Sequence, residues 1–346
     1  MLTTLIFKHY STGESSPVFL LGVLMMSNSS TEKLVVAVSS RALFDLETEH
    51  KIFEDQGIEA YREYQIKHLQ TPLNPGVAFP FVRRLLSLNE YFPKEEEPFR
   101  VIILSRNSPE SGQRFFNSCK HYKLPIRGGA FTSGQATFPY MKAYGASLFL
   151  SANSKSVIEA THMGYPAGLV LPSQAKDDLN DKGLRIAFDF DGVVIDDDSE
   201  KQYKQSGLEG FQDYESRHVH SPHKAGPLTE LFKKLAYFQK LDMQRRGQHD
   251  PYYQPVIRIS IVTSRGAPSE ERLITTLKSW GMNAAELFLM DGMPKQFVLE
   301  QLQPHIFFDD QIQHLQSAAH AVPSVLIPFG VTKESSVRKL MESQES

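Results

Sequence analysis

Residues 185–235 of this chain repeat residues 35–85 at a constant offset of 150 with no gap. Ala37, Lys51, Gly57, Glu59, Tyr64, His68, Pro72, Gly76 and Leu85 meet Ala187, Lys201, Gly207, Glu209, Tyr214, His218, Pro222, Gly226 and Leu235. Most other pairs are conservative, such as Phe53 with Tyr203 and Arg83 with Lys233. Self-similarity over so long a period marks a duplicated domain rather than a solenoid. After a change of length the pairing resumes. RVIILSRNSPE (100–110) resembles RISIVTSRGAP (258–268), each an apolar strand ending in hydroxyl and arginine residues. MKAYGASLFLSAN (141–153) parallels PKQFVLEQLQPHIFFDDQ (294–311), which sets Lys142 opposite Lys295. Both halves close on an apolar piece ending in proline, AGLVLP (167–172) and PSVLIP (323–328).

Apolar runs that alternate with amphipathic stretches predict α/β architecture. We expect two tandem three-layer domains, each a mainly parallel sheet with a helical cap-type insertion after its first strand, packed across an apolar interface. The boundaries are an extension at 1–33, a first domain at 34–172, a linker at 173–183, a second domain at 184–330 and a tail at 331–346. The linker, SQAKDDLNDKG, is polar and rich in breakers. In the second domain, 196–250 is the insertion.

A length of 346 residues suits two such domains. The net charge of −3 gives no reason to expect a nucleic-acid or membrane partner. Cys119, the single cysteine, allows no intrachain disulfide and reads as packing in a helical stretch. The apolar run Pro17–Met26 is too short to span a bilayer and lacks a cleavage site after it. The segment reads as a poorly ordered extension, with Met26 as a second candidate start.

One stretch in the second half carries the chemistry. LRIAFDFDGVV (184–194) is a buried strand running into Asp189 and Asp191, followed by Gly192. Two carboxylates at the carboxyl end of a buried strand lie where open α/β sheets build their sites. Unpaired charge is costly there, and a divalent cation is the simplest compensation. Thr263 ends the strand ISIVT, Lys295 opens a helical stretch, and Asp309-Asp310 end the strand HIFF. The order and the DxDG spacing resemble the haloacid dehalogenase (HAD) superfamily of phosphotransferases. Both domains are therefore expected to be HAD-like (Rossmannoid), the first one degenerate. Ser39 and Arg41 stand in the first half for Asp189 and Asp191, and Ser151 and Ala152 for Asp309 and Asp310. Thr263 matches Leu104 or, with a one-residue slip, Ser105. The first half looks unable to hold a metal and is read as scaffold, substrate wall or regulatory site.

Phosphoryl transfer spreads charge over three oxygens, so the site must present positive charge in fixed positions. An all-oxygen donor set suits Mg²⁺. Asp189 is the expected nucleophile and Asp191 the acid/base. Thr263 and Lys295 hold phosphoryl oxygens, and Asp189, Asp191, Asp309 and Asp310 surround the metal. Asp196-Asp197-Asp198 read as a solvated loop start, and His218, His220 and His223 as structural or substrate-facing groups of the cap.

The segments AVSSRALFDLETE, GVAFPFVRRL, YMKAYGASLFLSAN, RIAFDFDGVV, DDSE, AGPLTELF, VTSR, LKSWG and PHIFFDDQ resemble the cytosolic type I 5′-nucleotidase family, from about Leu34 to Gly330. That resemblance implies Mg²⁺-dependent hydrolysis of nucleoside 5′-monophosphates in the cytoplasm, with AMP a frequent substrate. It also implies a nucleotide effector, since animal members respond to di- or triphosphates. Base-binding candidates are Tyr203, Phe211 and Tyr214. Two other readings stand beside it: a phosphatase of another small phosphomonoester, and a nucleotide-binding regulator with vestigial catalysis.

Overall fold

Nearly every apolar run of the sequence becomes a strand. The computed structural model describes residues 33–330 and 333, apart from 179, 249, 251 and 283–285. The run Pro17–Met26, the start at Met26 and most of the tail lie outside the described residues. In chain order the strands are β1 (Leu34–Val38), β2 (Phe44–Asp45), β3 (Asn74–Pro75), β4 (Phe99–Ser105), β5 (Gly129–Phe131), β6 (Ala146–Ser151), β7 (Ala167–Val170), β8 (Leu184–Phe188), β9 (Ile257–Thr263), β10 (Glu286–Leu289), β11 (Ile306–Asp309) and β12 (Ser324–Leu326).

Ten of them form one sheet in the order β10-β9-β8-β11-β12-β7-β6-β1-β4-β5. Read outward from its middle, the two halves have the same order. All neighbours pair in parallel except β12 and β7, where Val325 and Leu326 face Val170 and Leu169 antiparallel. The expected α/β class and mainly parallel sheet are thus present. The halves share a single sheet, and each covers an edge that the other would leave with unpaired backbone groups. Gly168 permits the join, because a Cβ there would lie 2.4 Å from Val325 Cγ1. The antiparallel seam has a consequence for function: the carboxyl rims of the two half-sheets lie at opposite edges.

Uninterrupted apolar strands such as LVVAV are buried on both faces, as helix-covered parallel sheets require. The helix Thr229–Arg246 buries Leu231, Phe232, Leu235 and Phe238. It packs on β9 of its own half and on β1 and β6 of the other, and the Phe238 ring lies 4.8 Å from that of Phe99. The seam between halves is therefore apolar on this face, and this helix belongs to the sheet's covering layer. The insertion's first part, helix Asp198–Arg217, stands over the carboxyl ends of β8 and β9, and the bridge Ile195–Ala225 closes its base.

The duplication extends to backbone detail. The helices Glu47–Lys67 and Asp198–Arg217 each break at a glycine with positive φ, Gly57 at +84° and Gly207 at +68°. His68 and His218 each set Nδ1 2.8 Å from the carbonyl four residues back, Tyr64 and Tyr214. Strand register places Thr263 over Ser105, so the offset grows from 150 to 158 and the one-residue slip is the correct choice. That offset then runs unbroken: Met290 N–H bonds the Thr263 carbonyl at 2.9 Å as Thr132 N–H bonds that of Ser105 at 3.0 Å. Lys295 consequently stands over Thr137, and the pairing with Lys142 is corrected. Thr137 is buried, whereas Lys142 is exposed on the short helix Met141–Tyr144.

Candidate functional site

Each predicted residue of the second half sits at or just beyond a carboxyl end of β8, β9 or β11, or at the helix start facing them. Asp189 follows β8 and is tied to β11 through its N–H, which donates to the Phe308 carbonyl at 2.8 Å. Its Oδ1 accepts from the Phe190 N–H at 2.7 Å and lies 2.9 Å from Lys295 Nζ. Lys295, at the start of helix Gln296–Leu302, also reaches Asp309 Oδ2 at 2.7 Å. One buried ammonium therefore serves two buried carboxylates. Thr263, Asp189 and Asp191 line a cavity of about 280 Å³. Asp310 is buried against Gly192, where φ is +69° and a Cβ would come within 2.7 Å of Asp310 Oδ2.

The electrostatics follow from burial. Removal from water raises Asp189 to about 7, Asp309 and Asp191 add to the rise, and Lys295 opposes it. Burial also works against Asp309, but Lys295 and His314 overcome it and hold that carboxyl at about 2. Burial pushes the Lys295 pKa down, but Asp189 and Asp309 outweigh it and hold the ammonium above its ordinary value. Two carboxylates around one lysine leave negative charge to be balanced, and the donors are hard oxygens. Asp189, Asp309 and His314 offer atoms all within 4.8 Å of one another, the one such group of three or more among the described residues. The residues present fit a divalent cation.

Sequence reasoning missed Arg265. It forks onto Asp191, with Nε and Nη2 each 2.7 Å from a carboxylate oxygen. Its Nη1 donates to Glu215 Oε2 at 2.6 Å and its Nη2 to Ser199 Oγ at 2.9 Å. Glu215 is buried, and its other oxygen accepts from Arg272 at 2.9 Å and Ser199 at 2.9 Å. The chain VTSR was in view, but Glu215 lies 50 positions away and no spacing joins it to Arg265. His314 was missed too; it lies five residues after Asp309 on the helix Ile312–Ala318, with Nδ1 3.1 Å from Oδ2.

The remaining sequence features fall into place. His218 belongs to its own helix end, His220 is exposed, and His223 is buried with Nε2 3.1 Å from Glu215. None of the three joins the metal-type group. Against the expected solvated loop start, Asp197 is buried and pairs with Lys201 at 2.8 Å, and Asp198 opens the helix and pairs with Lys224 at 2.7 Å. Burial pushes the Cys119 thiol up to about 12, which leaves it inert. Tyr203 and Phe211 line the cavity; Tyr214 is not among its walls.

Among the described residues no helix is long and apolar enough to cross a membrane. No solved structure matches the chain significantly. Human (Homo sapiens) cytosolic 5′-nucleotidase 1B is 34% identical over 290 residues, which cover 82% of this chain and 47% of that protein. The chain thus spans about half the length of that relative. The profile of the 5′-nucleotidase family matches residues 26–334, and with that match the chain belongs to the 5′-nucleotidase family.

Proposed function

We propose that this chain hydrolyses nucleoside 5′-monophosphates, AMP among them, to nucleoside and phosphate through an aspartyl-phosphate on Asp189, with Mg²⁺ as its metal. The observation that supports this best is the buried Asp189–Lys295–Asp309 group beside Asp191 and Thr263 at the strand ends. Lys295 and the Phe190 N–H hold the Asp189 carboxylate, which supports its assignment as nucleophile. Attack forms the Asp189 Oδ–P bond and breaks the P–O5′ bond, and Asp191 protonates the departing O5′. Asp191 then takes a proton from water, whose oxygen attacks phosphorus and frees the carboxylate. Lys295 and the Thr263 hydroxyl hold phosphoryl oxygens. Mg²⁺, held by the carboxylates of Asp189 and Asp309 or Asp310 and the Asp191 carbonyl, supplies positive charge for the phosphate when bound.

Arg265 occupies both oxygens of Asp191, so delivering a proton requires one arm of that fork to open as substrate enters. Tyr203 and Phe211 offer faces on which a base can stack. The relative's printed name includes "cytosolic", and the same compartment is proposed here. A nucleoside monophosphate is the expected partner, with no nucleic acid or membrane. The test is phosphate release from nucleoside monophosphates and sugar phosphates, in Mg²⁺ and in EDTA, for wild type and Asp189→Asn. The expected result is metal-dependent release with a preference for 5′-nucleotides, lost by orders of magnitude in the variant. Release only from other esters overturns the substrate; an active Asp189→Asn overturns the mechanism.

A further inference from the structure

The cavity at the second-half site has a larger counterpart in the first half. That counterpart measures about 700 Å³ and lies at the carboxyl ends of β1, β4 and β6, under the broken helix Glu47–Lys67. By the duplication it is the same pocket as the one around Asp189, and most charge changes in its walls remove negative or add positive charge, with Glu49 for Ser199 and Asn107 for Arg265 running the other way. Where the live half has Asp189 and Asp191, this one has Ser39 and Arg41. Arg62 stands in the place of Gln212, Arg106 in that of Ser264 and His50 in that of Glu200. The apolar wall is kept, as Phe53, Ile58 and Tyr61 replace Tyr203, Leu208 and Phe211.

A pocket that had merely decayed would fill with side chains or lose its polarity. This one is larger than its twin and carries three guanidiniums and no carboxylate besides Glu49. Glu49 is spent on the buried Arg114, at 2.7 Å. The three arginines are restrained only by partly exposed pairs: Arg41 with Glu47 at 2.8 Å, Arg62 with Glu59 at 2.9 Å and Arg106 with Glu159 at 2.6 Å. Such pairs are weak and readily shared with an incoming anion. The Nε of Arg106 is moreover buried without a hydrogen-bond partner. A guanidinium with an unused donor in a roomy pocket is suited to an oxyanion.

We propose that this cavity is a second ligand site, which binds a phosphate-bearing small molecule of nucleotide size without a metal and without hydrolysing it. Arg41, Arg62 and Arg106 take the phosphate groups, and Phe53, Ile58 and Tyr61 cover the planar apolar part. The carboxylates that would hold a cation or attack phosphorus are absent, so the ligand leaves unchanged. Because the two rims lie at opposite edges of the sheet, this ligand does not compete for the mouth of the other site.

The test is calorimetric titration of the full chain with ADP in EDTA, a probe that is not a phosphomonoester, alongside inorganic phosphate. Wild type should bind ADP saturably, and R41A/R106A should lose at least tenfold in affinity while keeping a cooperative thermal transition. Arg62→Glu, on an exposed helix position, should weaken binding in the same sense and serves if the double variant does not fold. Equal affinity in wild type and variants places the ADP elsewhere and overturns the proposal, as does absence of binding in EDTA. Phosphate binding as tightly as ADP would overturn the nucleotide-sized ligand. None of these readouts depends on turnover, so failure of the hydrolytic reading leaves the test intact.

Discussion

Replacing Glu215 by Gln removes one charge from the centre of the buried network and leaves its shape. Glu215 is the shared acceptor for Arg265 and Arg272, at 2.6 and 2.9 Å, and burial would raise its pKa if His223 and Arg265 did not hold it below the usual carboxylate range. With Gln, Arg265 keeps Asp191 as its carboxylate partner, whereas Arg272 loses the carboxylate it holds. Breaking a buried pair from one side costs about 3–5 kcal/mol, since the partner charge stays buried. For a unit of this size that lowers Tm by roughly 5–10 °C. The amide also cannot hold Arg265 as firmly, so the fork on Asp191 loosens. Turnover should then fall by about tenfold or more while the Michaelis constant changes little, because phosphate contacts do not involve Glu215. Glu215→Gln combined with Arg272→Met removes the surplus charge and should recover part of the stability, which a double-mutant cycle by urea denaturation reads directly. A stability loss under about 1 kcal/mol would refute the account of the network. A full stability loss with unchanged turnover would refute the link from Glu215 through Arg265 to Asp191.

Three further outcomes are expected. His305 accepts the Arg185 N–H on Nδ1 at 3.0 Å, and burial, then Arg84 and Arg185, lower it from 6.5 to about 4 despite Asp181. The unfolded chain thus binds a proton that the folded one refuses between those values, so this contribution is intact above pH 6.5 and is lost as pH falls toward 4. At 1.36 kcal/mol per pH unit the loss reaches about 3 kcal/mol, and urea midpoints from pH 7.5 to 4.5 should fall less steeply in His305→Gln; parallel curves would disprove it. Lys295→Met strands Asp189 and Asp309 together, so the variant in EDTA should lose about 3–5 kcal/mol and regain part of it in saturating Mg²⁺; thermal scans with no metal response would contradict this. Gly168→Ala forces a methyl into Val325 at the seam and should cost about 1–3 kcal/mol by chemical denaturation, with no loss arguing against a tightly closed join.

Much of this was legible because duplication writes the same fold twice. Positions kept in both halves, such as Gly57 with Gly207 and His68 with His218, turned out to be backbone breaks and helix ends; positions that differ, such as Asp189 with Ser39, mark the cavities. The carboxylates at strand ends were readable for a similar reason, since a buried strand running into Asp-x-Asp leaves few places for the side chains to go. Two things were hidden. Arg265 and Glu215 interact across the fold, and a lone arginine after a strand carries no sign of its partner. Lys142 was aligned with Lys295 by residue type, whereas continuous hydrogen-bond register from Ser105 to Ser151 selects Thr137.

The seam also explains why a chain would keep a half that has lost its carboxylates. The second half-sheet would otherwise end at β12, a short apolar edge strand (Ser324–Leu326). The Val325–Val170 pairing covers it, and the Leu171 N–H continues the ladder to the Ser324 carbonyl at 3.0 Å. On one face the helix Thr229–Arg246 grips the first half: Lys234 donates to Ser147 Oγ at 3.1 Å and Phe238 packs on Phe99. On the same face Arg84 of the first half, fully buried, binds Asp177 at 2.6 Å and the Gly183 carbonyl at 3.2 Å, just before β8 begins. The first half therefore holds the approach to β8, the strand that leads to Asp189. β1 and β6 both touch the helix Thr229–Arg246, which in turn packs on β9, the neighbour of β8. The first half is thereby a wall that the second half-sheet needs.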